Sequence, residues 1–598
     1  MFCAFKEACE YIVVSFTDDR LQIPGRGQIP GQESSRFGIL HQKRGEKLGR
    51  LPRHIPDPVE LLGKGGRCKP CKLLKGHAAP ILWAVLHEAG AIEDDLGQLR
   101  RIHSSLEGHP TPTNPWVRIA TGSLGQGLAA ANGMALANRS DGIDARIYCL
   151  MGDGECSEGS VWEAAQFASL QGLGSVVAIV DVNGLEQSGP APYGSDTSVL
   201  AGRFRAFGWT TLEIDGHDLV AVVESLREAR QGGPTAILAR TRKGHGVSFL
   251  EGAEGWHGKA LSEDERDRAL AELGQEPADI PVTPRRLGGA VSKGSGTYRG
   301  ISVDEYRPGE EVATRSAFGD ALRRLGDQMP DLVVLDGDVK NSTKTESFAK
   351  AFPERFAESH IAEQNMIGAA LGLAVNGKRP VAATFAAFLT RAYDFIRMAG
   401  HSRPRHLLIC GSHAGVSIGE DGPSQMGLED LAMFRALDGC KILYPCDAVS
   451  AARLTELGLL TEGIVYLRTT RSKTLVSSDD DRLTLVAAGI TVHIALEAQR
   501  LLREHGVPTR VIDAYSVEPL DVATLEQAAR ETGTLLVVED HHLYGGLGDA
   551  VSGQVGRLAR VFRMGITGEP HSGTPEELFE RHHISATSVA SEAIAVAA

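Results

Sequence analysis

Short apolar runs that stop at Gly, Asp or Asn, each followed by a stretch of helical periodicity, recur along most of this chain. The clearest case begins with a mainly apolar run, residues 145–151, which stops at Gly152-Asp153-Gly154. An amphipathic helical pattern follows, and a second apolar run, Val176–Val182, stops at Asn183-Gly184-Leu185. Apolar runs of this length between turn residues are typical of buried strands, and a helix between two of them predicts a parallel βαβ unit.

The same alternation continues to the C-terminus and predicts an α/β protein of three domains, each with a mostly parallel sheet flanked by helices. Further strands are predicted at residues 212–215, 235–241, 332–335, 381–385, 407–410, 483–488, 508–512 and 535–539. Further helices are predicted at residues 81–88, 96–102, 129–138, 362–375 and 492–504. The domains are predicted at residues 75–275, 312–475 and 476–598, with a Pro- and Gly-rich linker at 276–311.

Residues 1–74 do not share this pattern. They alternate Pro and Gly early on and become dense in Lys, Arg, Gly and Pro towards residue 75. No periodic helix or strand emerges, so we expect an atypical N-terminal arm with little regular order.

Composition and charge narrow the class of protein. With 42% hydrophobic and 23% charged residues, the 598-residue chain resembles an ordinary soluble protein. Its net charge of −14 provides no basic stripe for nucleic acid or an acidic membrane, and no apolar run reaches the ~18–20 residues that span a bilayer. The nine cysteines are scattered, as in a cytosolic enzyme with reduced thiols. The single CxxC, Cys68 and Cys71, lacks the second pair of ligands expected of a zinc site.

The central βαβ unit carries candidate chemistry. Ligands of parallel sheets bind at the carboxyl ends of the strands, so Asp153 and Asn183 reach the same edge from two strands. A carboxylate and an amide oxygen suit Mg²⁺ or Ca²⁺, whose remaining ligands are often substrate phosphates and water. Gly152 and Gly154 allow a ligand to approach the backbone, and a helix beginning near Ser157 points its N–H groups at an anion. In a simpler interpretation Gly152-Asp153-Gly154 is a surface turn and Asn183-Gly184 is a hairpin turn. Because the two occur together, each directly after a buried strand, the binding site is favoured.

This arrangement resembles the thiamine-diphosphate fingerprint. The resemblance implies that Asp153, Asn183 and the backbone carbonyl of Leu185 hold the Mg²⁺ or Ca²⁺ ion that carries the cofactor's diphosphate.

A wider set of motifs occurs in a fixed order. The motifs are KGHAAP (75–80), GSLGQGL (122–128), GDGE (152–155), WHGK (256–259), DGDVKNST (336–343), IAEQNM (361–366), TFAAF (384–388), GSHAGVSIGEDGPSQ (411–425) and EDHHLYGGLG (539–548). Together they closely resemble transketolases of the animal type, over residues 75–598. The resemblance implies two thiamine-diphosphate-binding domains, for pyrophosphate (75–275) and pyrimidine (312–475), and a C-terminal α/β domain (476–598). It also implies a homodimer whose active sites lie between the pyrophosphate domain of one subunit and the pyrimidine domain of the other.

The resemblance assigns the cofactor residues. Glu363 is the catalytic acid, contacting the pyrimidine ring nitrogen; a carboxyl among Ile361, Met366 and Ile367 can hold and donate a proton near neutral pH. A salt-bridged glutamate at a helix start is the alternative. Phe388 packs on the pyrimidine beside Phe385, although a TFAAF strand end is otherwise typical of a core. The other cofactor contacts are Gly122, Ser123, Leu124, Asp153, Gly154, Asn183, Gln187, Lys243 and His257.

The same resemblance assigns a sugar-phosphate substrate. Arginines suit phosphate because the guanidinium donates two parallel hydrogen bonds, and imidazoles exchange protons near pH 7. The phosphate and hydroxyl ligands are Arg315, Ser342, His413 and Arg471. Asp421 recognises a hydroxyl, and Gln425 is the animal-type residue where other transketolases carry a His. The channel and proton-exchanging histidines are His77, His109 and His257.

The implied reaction is ketol transfer in the pentose phosphate pathway, from a ketose phosphate such as xylulose 5-phosphate to an aldose phosphate such as ribose 5-phosphate. One departure matters: residues 1–74 lack the GHxxS-type segment that supplies another channel His in the family. We therefore expect the cofactor residues to be intact and ketol transfer to be weak or lost. The competing interpretations are a catalytically impaired transketolase-like protein and another thiamine-diphosphate enzyme, such as dihydroxyacetone synthase or deoxyxylulose-phosphate synthase.

Overall fold

The computed structural model describes residues 76–88, 90–229, 232–274, 299–302, 306, 310–471, 473–474 and 483–597. The N-terminal arm 1–74, including Cys68 and Cys71, and most of the predicted linker 276–311 lie outside the described residues. The described residues fall into two compact units, divided between Gly289 and Ala290. The predicted fold class is confirmed: mostly parallel sheets flanked by helices, in three domains.

The first unit is built on a four-stranded sheet, all parallel, in the order β1-β2-β4-β3. Its strands are β1 Ile147–Gly152, β2 Val176–Val182, β3 Thr210–Asp215 and β4 Thr235–Arg240. Its helices are α1 Ala79–Glu88, α2 Gln126–Ser140, α3 Gly159–Leu170, α4 Thr197–Ala206, α5 Leu219–Glu228 and α6 Glu263–Leu273. All residues of β2 are buried, as expected for an apolar strand in a parallel sheet covered on both faces.

The second unit contains two large sheets. A seven-stranded sheet has the order β15-β10-β11-β9-β8-β6-β7, and a four-stranded parallel sheet has the order β14-β13-β16-β17. The strands are β5 Val312–Ala313, β6 Leu332–Asp336, β7 Phe356–Glu358, β8 Arg379–Phe385, β9 His406–Ser412, β10 Lys441–Leu443, β11 Gly463–Arg468, β12 Lys473–Thr474, β13 Leu483–Ala487, β14 Thr509–Asp513, β15 Ser516–Glu518, β16 Thr534–His542 and β17 Arg560–Ile566. β15 is antiparallel to β10, and β12 pairs separately with β5.

Helices cover these sheets. They are α7 Thr314–Gln328, α8 Lys340–Thr343, α9 Glu346–Ala351, α10 Glu363–Val375, α11 Tyr393–Ser402, α12 Asp430–Arg435, α13 Ala448–Leu460, α14 Ile490–Glu504, α15 Val522–Thr532, α16 Leu547–Val555, α17 Pro575–Arg581 and α18 Ala586–Ala597. Several begin at a side-chain cap; the Thr574 hydroxyl and Glu577 form a reciprocal capping box at the start of α17. Within the described residues, no helix is long and apolar enough to cross a bilayer.

One predicted helix is wrong. The segment 96–102 forms only a single 3-10 turn, Leu96–Gln98, capped by the Asp95 carboxylate. Arg100 then adopts a left-handed conformation (φ 62°), and Ile102 is 91% exposed. The spacing of apolar residues in this segment suits a helix, but its last apolar residue has no core to cover.

Candidate active site

The GDG and NGL turns meet at the carboxyl edge of the first sheet. β1 and β2 are parallel neighbours, with Gly152 opposite Asp181. The Asp153 carboxylate accepts the Gly184 N–H at 2.6 Å and the Gly154 N–H at 2.9 Å. The Asn183 side-chain oxygen accepts the Leu185 N–H at 2.9 Å. The three predicted metal ligands therefore lie on two loops that Asp153 itself ties together.

The donors on these loops suit a divalent cation. They comprise a buried carboxylate (Asp153), a half-buried side-chain amide oxygen (Asn183) and a backbone carbonyl (Leu185). These are hard oxygen donors of the kind that bind Mg²⁺ and Ca²⁺. Gly154 lies against Glu186, since a Cβ added at Gly154 would be 2.8 Å from the Glu186 Cγ. Of the remaining cofactor candidates on this loop, Gln187 is exposed.

Glu155 positions the glycine-rich turn and was not singled out from the sequence. Its buried carboxylate accepts the Gly125 N–H at 3.0 Å and the Gly152 N–H at 3.3 Å. Gly125 has φ 83°, and a Cβ there would be 2.3 Å from the Ser160 hydroxyl. Glu155 thus fixes the turn that carries Gly122, Ser123 and Leu124 against the end of β1. A buried acid directly after the GDG turn is the signal that could have revealed it.

His109 packs on the other side of this turn. A Cβ at Gly122 (φ 116°) would be 2.9 Å from the His109 Cγ. Partial burial, with a smaller contribution from nearby Arg100, lowers the pKa of His109. Gly76 also packs closely against this turn, since a Cβ added at Gly76 would be 2.5 Å from the Gly122 N. His77 belongs to the adjoining 3-10 turn Gly76–Ala78, but its side chain is outside the described residues.

Lys243 and His257 form a pair beyond the end of β4. The Lys243 Nζ lies 3.4 Å from the His257 Nδ1, and both side chains are half-buried. The Thr241 hydroxyl donates to the Asp181 carboxylate at 2.7 Å, which ties the end of β4 to the end of β2. This places the Lys243–His257 pair at the same sheet edge as the Asp153 loops.

In the second unit, Glu363 begins α10 and is only 3% exposed. Arg391 donates to both oxygens of its carboxylate at 3.3 Å and lies 5.4 Å from the centre of the Phe388 ring. The expectation that Ile361 helps to bury Glu363 is wrong, because Ile361 is 70% exposed. Glu363 is therefore both buried and ion-paired, which combines the two alternatives considered from the sequence.

Phe385, Phe388 and His413 form an aromatic stack. Phe385 ends β8, and its ring centre is 5.2 Å from that of Phe388 and 3.9 Å from that of His413. Phe388 is half-buried in the 3-10 turn Ala387–Ala392. Phe388 is the only partly accessible ring of the three, so another ring could pack against this stack only there.

The predicted substrate residues form a positively charged cluster. Arg315 contacts the Ser342 carbonyl at 3.0 Å and the His413 Nε2 at 3.1 Å, while Arg471 lies 3.3 Å from Asp421. Burial, with Arg471 nearby, lowers the pKa of Arg315. Burial, together with Arg315, Arg471 and Lys344, lowers the pKa of His413 to about 3. An anion would relieve the repulsion between these cations, as a phosphate-binding site requires.

In the part of the chain that the structure describes, one of the predicted substrate residues is not hydrogen-bonded to this cluster. Gln425 is half-buried in the 3-10 turn Pro423–Gln425, and among the described residues its side chain has no hydrogen bond to the cluster.

Asp336, which was not singled out from the sequence, anchors the helix that carries Ser342. Its buried carboxylate accepts the Val339 N–H at 2.8 Å and the hydroxyls of Thr343 and Thr345 at 2.6 and 2.8 Å. Burial raises the pKa of Asp336 to about 6.

Three family models match the chain in sequence order. They are the transketolase thiamine diphosphate binding domain over residues 72–293, the transketolase pyrimidine binding domain over 310–475 and the transketolase C-terminal domain over 472–589. The chain is thus matched by a cofactor-binding model over the very loops that carry Asp153 and Asn183.

Individual transketolases and transketolase-like proteins are similar to this chain over most of its length. Transketolase-like protein 2 of Mus musculus is 46% identical over 543 residues, which is 86% of either chain. Transketolase of Homo sapiens is 44% identical over 544 residues, which is 87% of either chain. The crystal structure of transketolase from Campylobacter jejuni is 25% identical with a TM-score of 0.76, and the match covers 90% of this chain and 92% of that one. The chain belongs to the transketolase family.

Proposed function

We propose that this protein is a thiamine-diphosphate- and metal-dependent transketolase of the pentose phosphate pathway. It transfers a two-carbon ketol unit from a ketose phosphate such as xylulose 5-phosphate to an aldose phosphate such as ribose 5-phosphate. The observation that carries the proposal is the 2.6 Å hydrogen bond by which Asp153 ties the GDG turn to the NGL turn in a member of this family. It brings the loops of the cofactor fingerprint to one sheet edge.

In this proposal the metal and the diphosphate of the cofactor bind to residues of the first unit. Asp153, Asn183 and the Leu185 carbonyl hold Mg²⁺ or Ca²⁺, and Lys243 and His257 face the diphosphate. Gly122, Ser123, Leu124, Gly154 and Gln187 line the remaining surface. The domain boundaries accompany this assignment, with 75–275 binding pyrophosphate, 312–475 binding pyrimidine and 476–598 as the C-terminal domain. When bound, the cofactor supplies the electron sink for cleavage of the carbon–carbon bond.

Glu363 moves the proton that prepares the cofactor. Its carboxyl group would contact the pyrimidine nitrogen of the bound cofactor. The ion pair with Arg391 and the surrounding burial hold the Glu363 side chain in place. Phe385 and Phe388 support the pyrimidine ring through their stack. His77, His109 and His257 exchange protons with substrate oxygens. The lowered pKa of His109 keeps its imidazole neutral near pH 7, so a ring nitrogen is free to act as a hydrogen-bond or proton acceptor.

The sugar phosphate binds at the cluster on the second unit. Arg315 and Arg471 neutralise the phosphate, and His413 and Ser342 donate or accept hydrogen bonds with the sugar or phosphate oxygens. Asp421 and Gln425 recognise hydroxyl groups. The enzyme is further proposed to act in the cytoplasm as a homodimer with its active sites at the subunit interface. The free cysteines of the described residues suit that compartment.

The direct test uses the full chain with thiamine diphosphate, Mg²⁺, xylulose 5-phosphate and ribose 5-phosphate. Formation of one seven-carbon and one three-carbon product supports the proposal; cofactor binding without product formation contradicts it. Parallel assays with pyruvate and with formaldehyde distinguish deoxyxylulose-phosphate synthase and dihydroxyacetone synthase.

A second candidate function is favoured by residues 1–74, which lack the family's channel-His segment. In this alternative the protein binds the cofactor but carries out weak or no ketol transfer. Calorimetry with thiamine diphosphate and Mg²⁺, beside an assay of the donor half-reaction, separates the two. Tight binding with no consumption of xylulose 5-phosphate supports the impaired form.

A further inference from the structure

The loop that carries three proposed substrate residues is built into the core of the C-terminal domain. We define the substrate loop as residues 413–425, which contain His413, Asp421 and Gln425. Its apolar residues Val416 and Ile418 are buried in one hydrophobic cluster with residues of the last sheet and helices. That cluster includes Leu485, Val538, Leu578 and Val589. The shape of the loop therefore depends on the C-terminal domain.

Three glycines of the loop face the C-terminal domain without room for a side chain. Gly415, Gly419 and Gly422 all have φ between 74° and 79°. A Cβ at Gly415 would be 1.9 Å from the Asp540 carboxylate, and one at Gly422 would be 2.6 Å from the Ser572 hydroxyl. A Cβ at Gly419 would be 3.0 Å from the Gly573 carbonyl oxygen. The loop backbone is thus in close contact with this domain at three points.

Asp540 is the polar centre of this contact. It lies in β16, in the EDHHLYGGLG motif, and is fully buried. Its carboxylate accepts the Val416 N–H at 2.8 Å, and its carbonyl oxygen accepts from Arg468 at 3.1 Å. Arg468 also donates to the Gly427 carbonyl at 2.8 Å, just beyond the loop. Asp540 is consequently bonded directly to Val416 near the start of the substrate loop and, through Arg468, to Gly427 just beyond its end.

We propose that the C-terminal domain positions the substrate loop, and that Asp540 is the positioning residue through which it sets the affinity for sugar phosphates. Asp540 contacts the loop backbone rather than the substrate. The inference deepens the proposed function and rests on it only for the identity of the ligand. A hydrogen bond to a charged carboxylate is among the stronger ones in proteins, so its loss should be measurable.

The first experiment compares Asp540→Ala with Asp540→Asn in the full chain. Asp540→Ala should raise the KM for xylulose 5-phosphate by about tenfold or more while the Kd for thiamine diphosphate changes little. Asp540→Asn keeps an oxygen for the Val416 N–H and should restore most of the affinity. An unchanged KM in Asp540→Ala would overturn the inference.

A compensation test keeps the inference falsifiable if Asp540→Ala fails to fold. Gly422→Ala should raise the KM for the sugar phosphate, both through the strain of a side chain at φ 79° and through its 2.6 Å approach to the Ser572 hydroxyl. Adding Ser572→Ala should recover the second part, because the clashing hydroxyl is removed. Gly506→Ala is the matched control, since Gly506 has a similar φ of 70° and nothing within 4 Å of a new Cβ. No recovery in the double variant would count against the inference.

Hydrogen exchange separates this inference from the proposed function. Amide exchange at residues 416–422 should be faster in Asp540→Ala than in wild type and unchanged in Gly506→Ala. Faster exchange in a chain that binds no sugar phosphate would support the positioning role and refute the proposed function. Unchanged exchange in Asp540→Ala would refute the positioning role, whatever the chain's activity.

Discussion

Replacing Asp153 by Ala should uncouple the two loops of the proposed metal site. The substitution removes the carboxylate that accepts the Gly184 N–H at 2.6 Å and the Gly154 N–H at 2.9 Å. It also removes the only negatively charged donor among the three proposed metal ligands. The cofactor affinity should therefore fall for two reasons, the loss of a ligand and the loss of the geometry of the other two.

The size of the effect follows from these contacts. A hydrogen bond to a charged group contributes about 1.5–3 kcal/mol. Gly154 and Gly184 are half-buried, so water partly replaces the carboxylate, and we take one such contribution for the pair. Loss of a residue that merely orients a metal ligand costs about 10–100-fold in metal affinity, and loss of a ligand should cost at least as much. Together they predict binding weaker by about 10²–10⁴-fold. Asp153→Asn keeps an acceptor for Gly184 and should lose only about 10–100-fold.

Titration calorimetry of thiamine diphosphate in saturating Mg²⁺, then in Ca²⁺ and in EDTA, measures this series. Asp218→Ala is the matched control, because Asp218 also accepts two backbone N–H groups, those of Val220 and Ala221, but at the exposed start of α5. It should leave the affinity unchanged. The proposed role of Asp153 is refuted if Asp153→Ala binds the cofactor within about threefold of wild type and still requires the metal.

Three further predictions concern the second unit. Glu363→Gln should lower turnover by about 10²–10⁴-fold, the usual contribution of a general acid or base, while cofactor binding stays within tenfold. The control is Glu346→Gln, because Glu346 is an exposed glutamate paired with Lys350. Equal turnover in the two variants would contradict the role of Glu363. Arg315→Ala should raise the KM of a phosphorylated ketose by about 10–100-fold through loss of charge-assisted contacts, and should affect an unphosphorylated ketose much less; equal effects on both would show that Arg315 does not bind the phosphate. His413 has a pKa of about 3 in the folded chain, against 6.5 for the free side chain. Below pH 6.5 the unfolded chain therefore binds a proton that the folded chain does not, and the stability of the folded chain falls as the pH drops. His413→Asn should therefore show a flatter loss of unfolding temperature between pH 6.5 and 4, and curves parallel to wild type would contradict this.

Strand and helix positions were predictable where the signal is local. β2 was predicted at its observed bounds because a run that is apolar except for Asp181 ends sharply at Asn183-Gly184. α10 was predicted because its apolar residues follow a polar start at Glu363. The segment 96–102 failed because periodicity does not reveal whether a face has a partner, and Ile102 projects into solvent. β15 could not be predicted at all, since its place beside β10 depends on a pairing between distant parts of the chain.

For the candidate site, the proposed ligand-binding residues were easier to single out from the sequence than the residues that hold them. Asp153, Asn183 and His413 stand at strand ends in recognisable turns, so a short window of sequence identifies them. Arg391 was missed because its contact with Glu363 joins residues 28 positions apart. The spacing between a charge and its partner varies with the loop between them, so no fixed pattern encodes it.

The missed carboxylates share a physical role that explains why they are acids. Glu155, Asp336 and Asp540 are buried, and each accepts hydrogen bonds from a loop that carries proposed ligands of cofactor or substrate. Burying a carboxylate is unfavourable unless several donors converge on it, so such a residue persists only where the loop presents N–H or O–H groups in fixed directions. Burial raises the pKa of both Asp336 and Asp540 to about 6, which shows that the desolvation is only partly offset. A protein that needed these positions only for packing would be better served by an apolar side chain. Their acidity is therefore better explained by the need to hold loop backbone in place than by the stability of the core.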